Sequence, residues 1–188
     1  METSKIQLWN RTTEAIYKNV MLFTIAGIAA SFFGIIPLMR WLSDVCNVLV
    51  VAGFVAFFIR IKDLEALVDE ADKDAMKKLI TGIMVYILAL MLEQTPMLVS
   101  WILGPIGVIV SCVFMLLAYN ALKKSETFPN REGMNTLFIA KIIGIVGGVI
   151  SIIPLLGFIG GILYIVMFVM VLLGWKKVAE PIAEEKAQ

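Results

Sequence analysis

The chain has 188 residues, of which 60% are apolar and only 16% charged, with a formal net charge of +1. Soluble domains carry about 25% charged residues, so this composition excludes an ordinary water-soluble domain, and the near-neutral balance excludes the basic footprint of a nucleic-acid binder. No histidine is present, which removes the commonest general base, proton relay and metal ligand.

Residues 1–18 open the chain with a polar but periodic pattern. Ser4 to Gln7 fits a capping box, and Ile6, Trp9, Thr13, Ile16 and Val20 fall on one face at steps of three and four. That pattern predicts an amphipathic segment lying at the membrane interface. The first apolar run follows at about 19–38. Its opening, NVMLFTIAGIAA, resembles the apolar part of a secretory signal, yet the run continues through SFFGIIPLM, so an uncleaved first span is expected.

Further apolar runs cover about 42–60, 78–93, 97–119, 136–154 and 157–175. Runs near 20 residues cross a hydrocarbon core of about 30 Å at about 1.5 Å per residue. Their apolar sequence is solid rather than alternating, which means helices and not a barrel. The predicted fold is therefore an all-α integral membrane protein, with six transmembrane helices in a single domain over residues 19–176 and a solvated tail over 177–188.

Short links pair the spans into three hairpins, about 19–60, 78–119 and 136–175, broken at Pro37 to Arg40, Glu93 to Pro96 and Pro154 to Gly157. Between the first two hairpins, residues 61–77 read as an amphipathic stem. Ile61, Leu64, Val68, Ala71, Ala75 and Leu79 share its face, and Asp69 or Asp72 is placed to cap the returning helix. The next link, SETFPNREGMN, reads as a true loop.

Two of these spans are written in nearly the same words. IAGIAASFFGIIPLM at 25–39 and IIGIVGGVISIIPLL at 142–156 share seven of fifteen residues, and the step from Gly27 to Pro37 equals that from Gly144 to Pro154. An internal repeat of hairpins in one orientation is expected, with a weaker echo from Gly82 to Pro96 in the middle hairpin. Lysines and arginines then orient the bundle. They cluster in the N-terminal segment, the stem, the second link and the tail, against Arg40 alone on the other side. The positive-inside rule places both termini in the cytoplasm, and the expected location is the bacterial cytoplasmic (inner) membrane.

Candidate functional residues are few. Lys141 is the one formal charge inside a predicted span away from its ends. One reading makes it an anion or headgroup contact at a pore mouth, together with Lys123, Lys124, Lys176 and Lys177; the other lets it snorkel to the nearby boundary. Arg40, Trp41, Asp44, Glu93 and Trp101 gather near the outer turns, where they read as a partner or ion mouth or as ordinary interfacial residues. Gly27 with Ser31, Gly144 with Gly148 and Gly157 with Gly161 recur at i, i+4, the spacing of a helix-packing seam or a homo-oligomer contact. Cys46 and Cys112 differ in depth by about 16 Å, too far for a disulfide.

The pattern contains no nucleophile and base pair, no metal-ligand cluster and no cofactor motif. It points to a non-enzymatic scaffold, or a subunit that binds lipids or a membrane partner. An ion or small-solute channel or transporter is the alternative.

Overall fold

A computed structural model describes residues 3–35, 37–93 and 100–182; Thr3, Ser31, Gly34, Ile35, Pro37, Arg40, Glu93, Ser100, Trp101, Ile102, Pro154 and Gly157 are described at the backbone alone. The described residues form six α-helices: α1 Thr3–Ile35, α2 Arg40–Glu65, α3 Lys73–Glu93, α4 Ser100–Leu122, α5 Arg131–Ser151 and α6 Gly157–Val178. Five of them, α2 to α6, hold stretches long and apolar enough to cross a membrane. Their outward faces keep large apolar side chains uncovered, such as Val48 at 67% and Leu88 at 58% exposed. Water would penalise such a girdle, whereas acyl chains solvate it. The chain is a helical integral membrane protein.

The helices pack in chain order as adjacent hairpins, α1 with α2, α3 with α4 and α5 with α6. Contacts of α2 with α3, α4 with α5 and α6 with α1 close them into a ring. Inside the first and third hairpins the link is a 3-10 turn, Pro37–Met39 and Pro154–Leu156, in the same register of the repeated sequence. Proline lacks an N–H and disfavours helix in the residue before it, so each apolar run stops there. The middle link around Pro96 lies outside the described residues.

The N-terminal segment differs from expectation. No break separates it from the first span: α1 is one helix of 33 residues. Ile6, Trp9, Thr13, Ile16 and Val20 are all buried, and the stripe continues to Phe23 and Ala30. Protein covers this face, not lipid headgroups. Trp9 meets Phe128 edge-on at 5.2 Å, Lys5 pairs with Asp69 at 3.2 Å, and the Ile182 N–H donates to Asn10 Oδ1 at 3.1 Å. One end of the bundle thus gathers the first turns of α1, both longer links and the residues after α6. It is called the basic end below.

The stem also departs in detail. Ile61, Leu64, Val68, Ala75 and Leu79 are buried as the spacing predicts. Ala71 is exposed, because it sits in a 3-10 turn, Glu70–Asp72, where the α-helical phase is lost. Neither aspartate caps α3. Asp69 precedes the turn without a side-chain cap and takes Lys5 instead. Asp72 is buried, and its carboxylate accepts hydrogen bonds from the Ser125 and Thr127 hydroxyls at 2.9 and 2.7 Å. This joins the α2–α3 link to the α4–α5 loop. That loop ends at Asn130, whose φ of 53° is left-handed, a conformation asparagine tolerates better than most residues. Its amide donates to the Val178 and Glu180 carbonyls at 3.2 and 2.7 Å, holding the last turn of α6. Helix α5 therefore begins at Arg131 and not near residue 136.

Close helix contacts fall partly on unexpected glycines. A Cβ added at Gly133 would meet Gly174 O at 2.6 Å and Val178 N at 2.9 Å, so α5 and α6 touch backbone to backbone near the basic end. At Gly144 it would meet Met167 Sδ at 2.5 Å and Cys112 Sγ at 2.9 Å, and at Gly148, Ile109 Cγ1 at 2.6 Å. Gly27 has only an ordinary contact, Val50 Cγ2 at 3.8 Å, and Gly161 has nothing within 4 Å. The i, i+4 spacing therefore does not make Gly161 a packing residue. Isoleucine at Gly133 should lower the detergent melting temperature, since overpacking costs about 1–3 kcal/mol. Isoleucine at Gly161 should leave it unchanged. Equal losses for both substitutions in a thermal melt would contradict this packing.

Candidate functional site

The axis of the ring is where all six helices meet. In the half nearer the basic end it is filled. Phe23 of α1, Phe54 and Phe57 of α2, Tyr86 of α3, Met115 and Tyr119 of α4, Lys141 of α5, and Met167, Phe168 and Val171 of α6 surround one small void of about 10 Å³. Phe23 stacks on Phe54 at 4.1 Å, Phe54 tilts against Tyr86 at 4.7 Å, and Phe57 meets Trp175 edge-on at 5.5 Å. Such contacts add about 0.5–1.5 kcal/mol each beyond burial. Together they form an aromatic plug across the bundle.

Lys141 is part of that plug. It is 5% exposed, with Nζ 5.9 Å from the centroid of the Tyr86 ring, within cation–π range. Among the described residues no carboxylate lies at ion-pair distance from it. The snorkelling reading is thereby corrected. Lys141 sits ten residues into α5, about 15 Å from its start, and a four-carbon stem directed at the bundle axis does not bring the ammonium to that end.

Beyond the plug the axis is empty. A cavity of about 350 Å³ lies between α1, α2, α3, α4 and α6, and Tyr86 and Phe168 belong to its wall and to the plug alike. Ser43, Asn47, Tyr86 and Tyr164 bring polar groups to its lining, while Gly27, Ile28, Gly161 and Ile165 line it along the α1–α6 seam. Ile28, Gly161 and Ile165 are exposed, so the cavity is not sealed along that seam. The wall is braced by Ser43, whose hydroxyl donates across the hairpin to Ala30 O at 2.8 Å, as Ser111 does to Gly82 O at 2.8 Å.

The remaining sequence candidates do not assemble around Lys141. Lys123 lies over the Phe138 ring at 3.6 Å, and Lys124, Lys176 and Lys177 are near the ends of α4 and α6, with Lys124, Lys176 and Lys177 exposed. Trp41 and Asp44 are exposed, and the side chains of Arg40, Glu93 and Trp101 lie outside the described set, as do those of Ser31 and Gly157. Cys46 is half-buried and Cys112 buried, both free. Charges at the basic end pair locally: Lys18 hydrogen-bonds Glu14 at 2.7 Å and holds that carboxyl below its usual range, and Lys78 does the same to Asp74 at 2.6 Å. Among the described residues no group of three or more His, Cys, Asp or Glu side chains is placed to hold a metal ion.

Ser43 and the phenylalanine plug are the site and framework residues that spacing alone did not single out. The plug had a signal: Val50, Phe54, Phe57, Ile61 and Leu64 continue the stem's stripe up α2 at steps of four and three. No family model, curated protein or solved structure matches this chain.

Burial makes a definite claim about Lys141. Arginine is larger, and at this packed position it should lower the melting temperature, by the equivalent of about 1–3 kcal/mol. Methionine, which is unbranched and close in size, should be neutral or stabilising, because it removes a buried charge without orphaning a partner. A boundary lysine would instead leave arginine silent, and a thermal melt of the arginine variant decides between the two.

Proposed function

We propose that this protein is a non-enzymatic polytopic membrane protein that binds an amphiphilic, lipid-like ligand in the cavity beyond the aromatic plug. The observation that carries this reading is the cavity's form. Its volume, about 350 Å³, lies within the range of small-molecule sites, about 300–1,000 Å³. Its α1–α6 side is apolar, with Gly27, Ile28, Gly161 and Ile165, while Ser43, Asn47, Tyr86 and Tyr164 bring polar groups to a wall otherwise formed by Val50, Leu90, Val108 and Phe168. An acyl chain suits such a side and a polar headgroup suits such polar groups.

In this reading α1 is a sixth span. It packs along α2, with Phe23 stacked on Phe54 and Ala30 joined to Ser43, so it crosses wherever α2 crosses. The basic end is cytoplasmic, as the bias of lysine and arginine requires. In a background lacking Cys46 and Cys112, a cysteine at Leu155 should react with a membrane-impermeant thiol reagent in intact cells, and one at Glu126 should not.

The ligand itself is tested by filling the cavity. Gly161 lines it and has nothing within 4 Å, so Gly161→Trp should fill the space without disturbing helix contacts. Native mass spectrometry of gently solubilised protein should find a bound amphiphile on the wild type and at least a tenfold lower occupancy on the variant, at an unchanged melting temperature. Equal occupancy on both would remove the cavity as the site.

Lys141 gives a second reading its support, because a lone cation on the axis is what a solute path would use for anions. Liposome flux separates the two: anion flux through the wild type that Lys141→Met abolishes favours a pore. Flux that is absent, or unaffected by the substitution, favours the binding protein.

A further inference from the structure

At the basic end a second recess lies apart from the axis, between α1 and α2. A cavity of about 410 Å³ is lined by Leu8, Arg11, Thr12, Ala15, Arg60 and Asp63 with Ala66 and Leu67. A neighbour of about 320 Å³ is lined by Ala15, Lys18, Asn19, Ala56, Ile59 and Arg60. Ala15 and Arg60 belong to both, so the two form one groove along the helix pair.

Its charge is unbalanced. Arg11, Lys18 and Arg60 line it, against Asp63 alone. Arg60 gives Nη1 to Asp63 at 3.1 Å, leaving other guanidinium donors, and Lys18 pairs with Glu14 outside the groove. Among the described residues Arg11 has no ion pair. Depth is equally informative. The uncharged run of α2 ends at Ile59 and that of α1 begins at Asn19, so the groove sits at the level where lipid phosphates meet the hydrocarbon core. Ile59 in its wall and Met21, Leu22 and Val55 next to it expose apolar side chains.

We propose that this groove is a binding site for an anionic diacyl phospholipid of the leaflet at the basic end. Arg11 and Arg60 grip the headgroup phosphate through paired guanidinium donors, Lys18 adds charge beside it, and the acyl chains lie along the exposed apolar faces of α1 and α2. A soluble phosphate would use the cations but leave that apolar surface idle. A zwitterionic lipid would bring a second cation into a groove already rich in them.

The test is titration of solubilised protein with phosphatidylglycerol, phosphatidylcholine, glycerophosphoglycerol or inorganic phosphate, read as bound mass. Phosphatidylglycerol should bind the wild type at least tenfold more tightly than phosphatidylcholine. Arg11→Gln with Arg60→Gln should lose about tenfold or more, with Arg11→Lys and Arg60→Lys intermediate because charge remains while the paired geometry is lost. The charge-matched control, Lys77→Gln with Arg131→Gln, should bind as the wild type does. The lysine variants keep the test valid if the glutamine pair fails to fold. Equal binding of the two lipids overturns the proposal, as does an equal loss in the control. Competition by inorganic phosphate or glycerophosphoglycerol as strong as by the lipid overturns it too, and would reassign the groove to a soluble phosphate.

Discussion

Six helices in a closed ring leave a channel along their axis unless side chains fill it, and this chain fills only half. Each helix presents a stripe to the axis at alternating steps of three and four, as in Trp9, Thr13, Ile16, Val20 and Phe23 on α1, or Met134, Leu137, Lys141, Gly144 and Gly148 on α5. A mean step near 3.5 keeps one face inward over a long helix. Near the basic end the stripes carry tryptophan, phenylalanine, tyrosine and methionine, and the axis closes. Beyond the plug they shrink to Gly27, Ala30, Ser43 and Gly161, and a cavity remains. Plug and cavity are therefore one constraint met with large residues at one depth and small ones at another.

Polar ties cross between hairpins at the basic end. At the basic end Asp72, Asn130 and Asn10 join segments far apart in sequence, each through hydrogen bonds to loops or chain ends. These fix the links to one another, so the helix ends there are held by more than apolar contact. Beside the cavity the Ser43 hydroxyl donates to Ala30 O within the first hairpin. Serine hydroxyls of this kind contribute about 1 kcal/mol across helices in a membrane. They brace a hairpin but do not stitch one hairpin to the next.

Much of this was legible in the sequence, because lipid narrows the choices. Apolar runs, proline breaks and basic residues located the helices and their pairing, and the three-and-four spacing marked the buried faces of α1 and the stem down to individual residues. What escaped has physical reasons. Ala71 kept the spacing but lost the phase, since a 3-10 turn is invisible to a count made at 3.6 residues per turn. Gly161 kept the i, i+4 spacing, yet spacing does not say whether a neighbour arrives. Asp72 looked like a cap because its partners, Ser125 and Thr127, are more than fifty residues away. Lys141 was judged by its distance from the helix end, when its position on the stripe from Met134 to Gly148 already turned it inward.

The repeat bears on why that lysine is there. The register that lays Pro37 on Pro154 and Gly27 on Gly144 also lays Thr24 on Lys141. Both residues are buried, Thr24 at 2% and Lys141 at 5% exposed, each on the first helix of its hairpin. The matching position of the first hairpin is thus filled by a neutral side chain, and the hairpin still turns at the same 3-10 proline. A buried charge without a carboxylate partner is a poor way to stabilise a bundle, since a well-packed apolar residue of the same volume does at least as well. Closing the hairpin does not require the charge, and packing does not reward it. What sets Lys141 apart from Thr24 is its place: it lines the aromatic plug, whose Tyr86 and Phe168 also belong to the cavity wall.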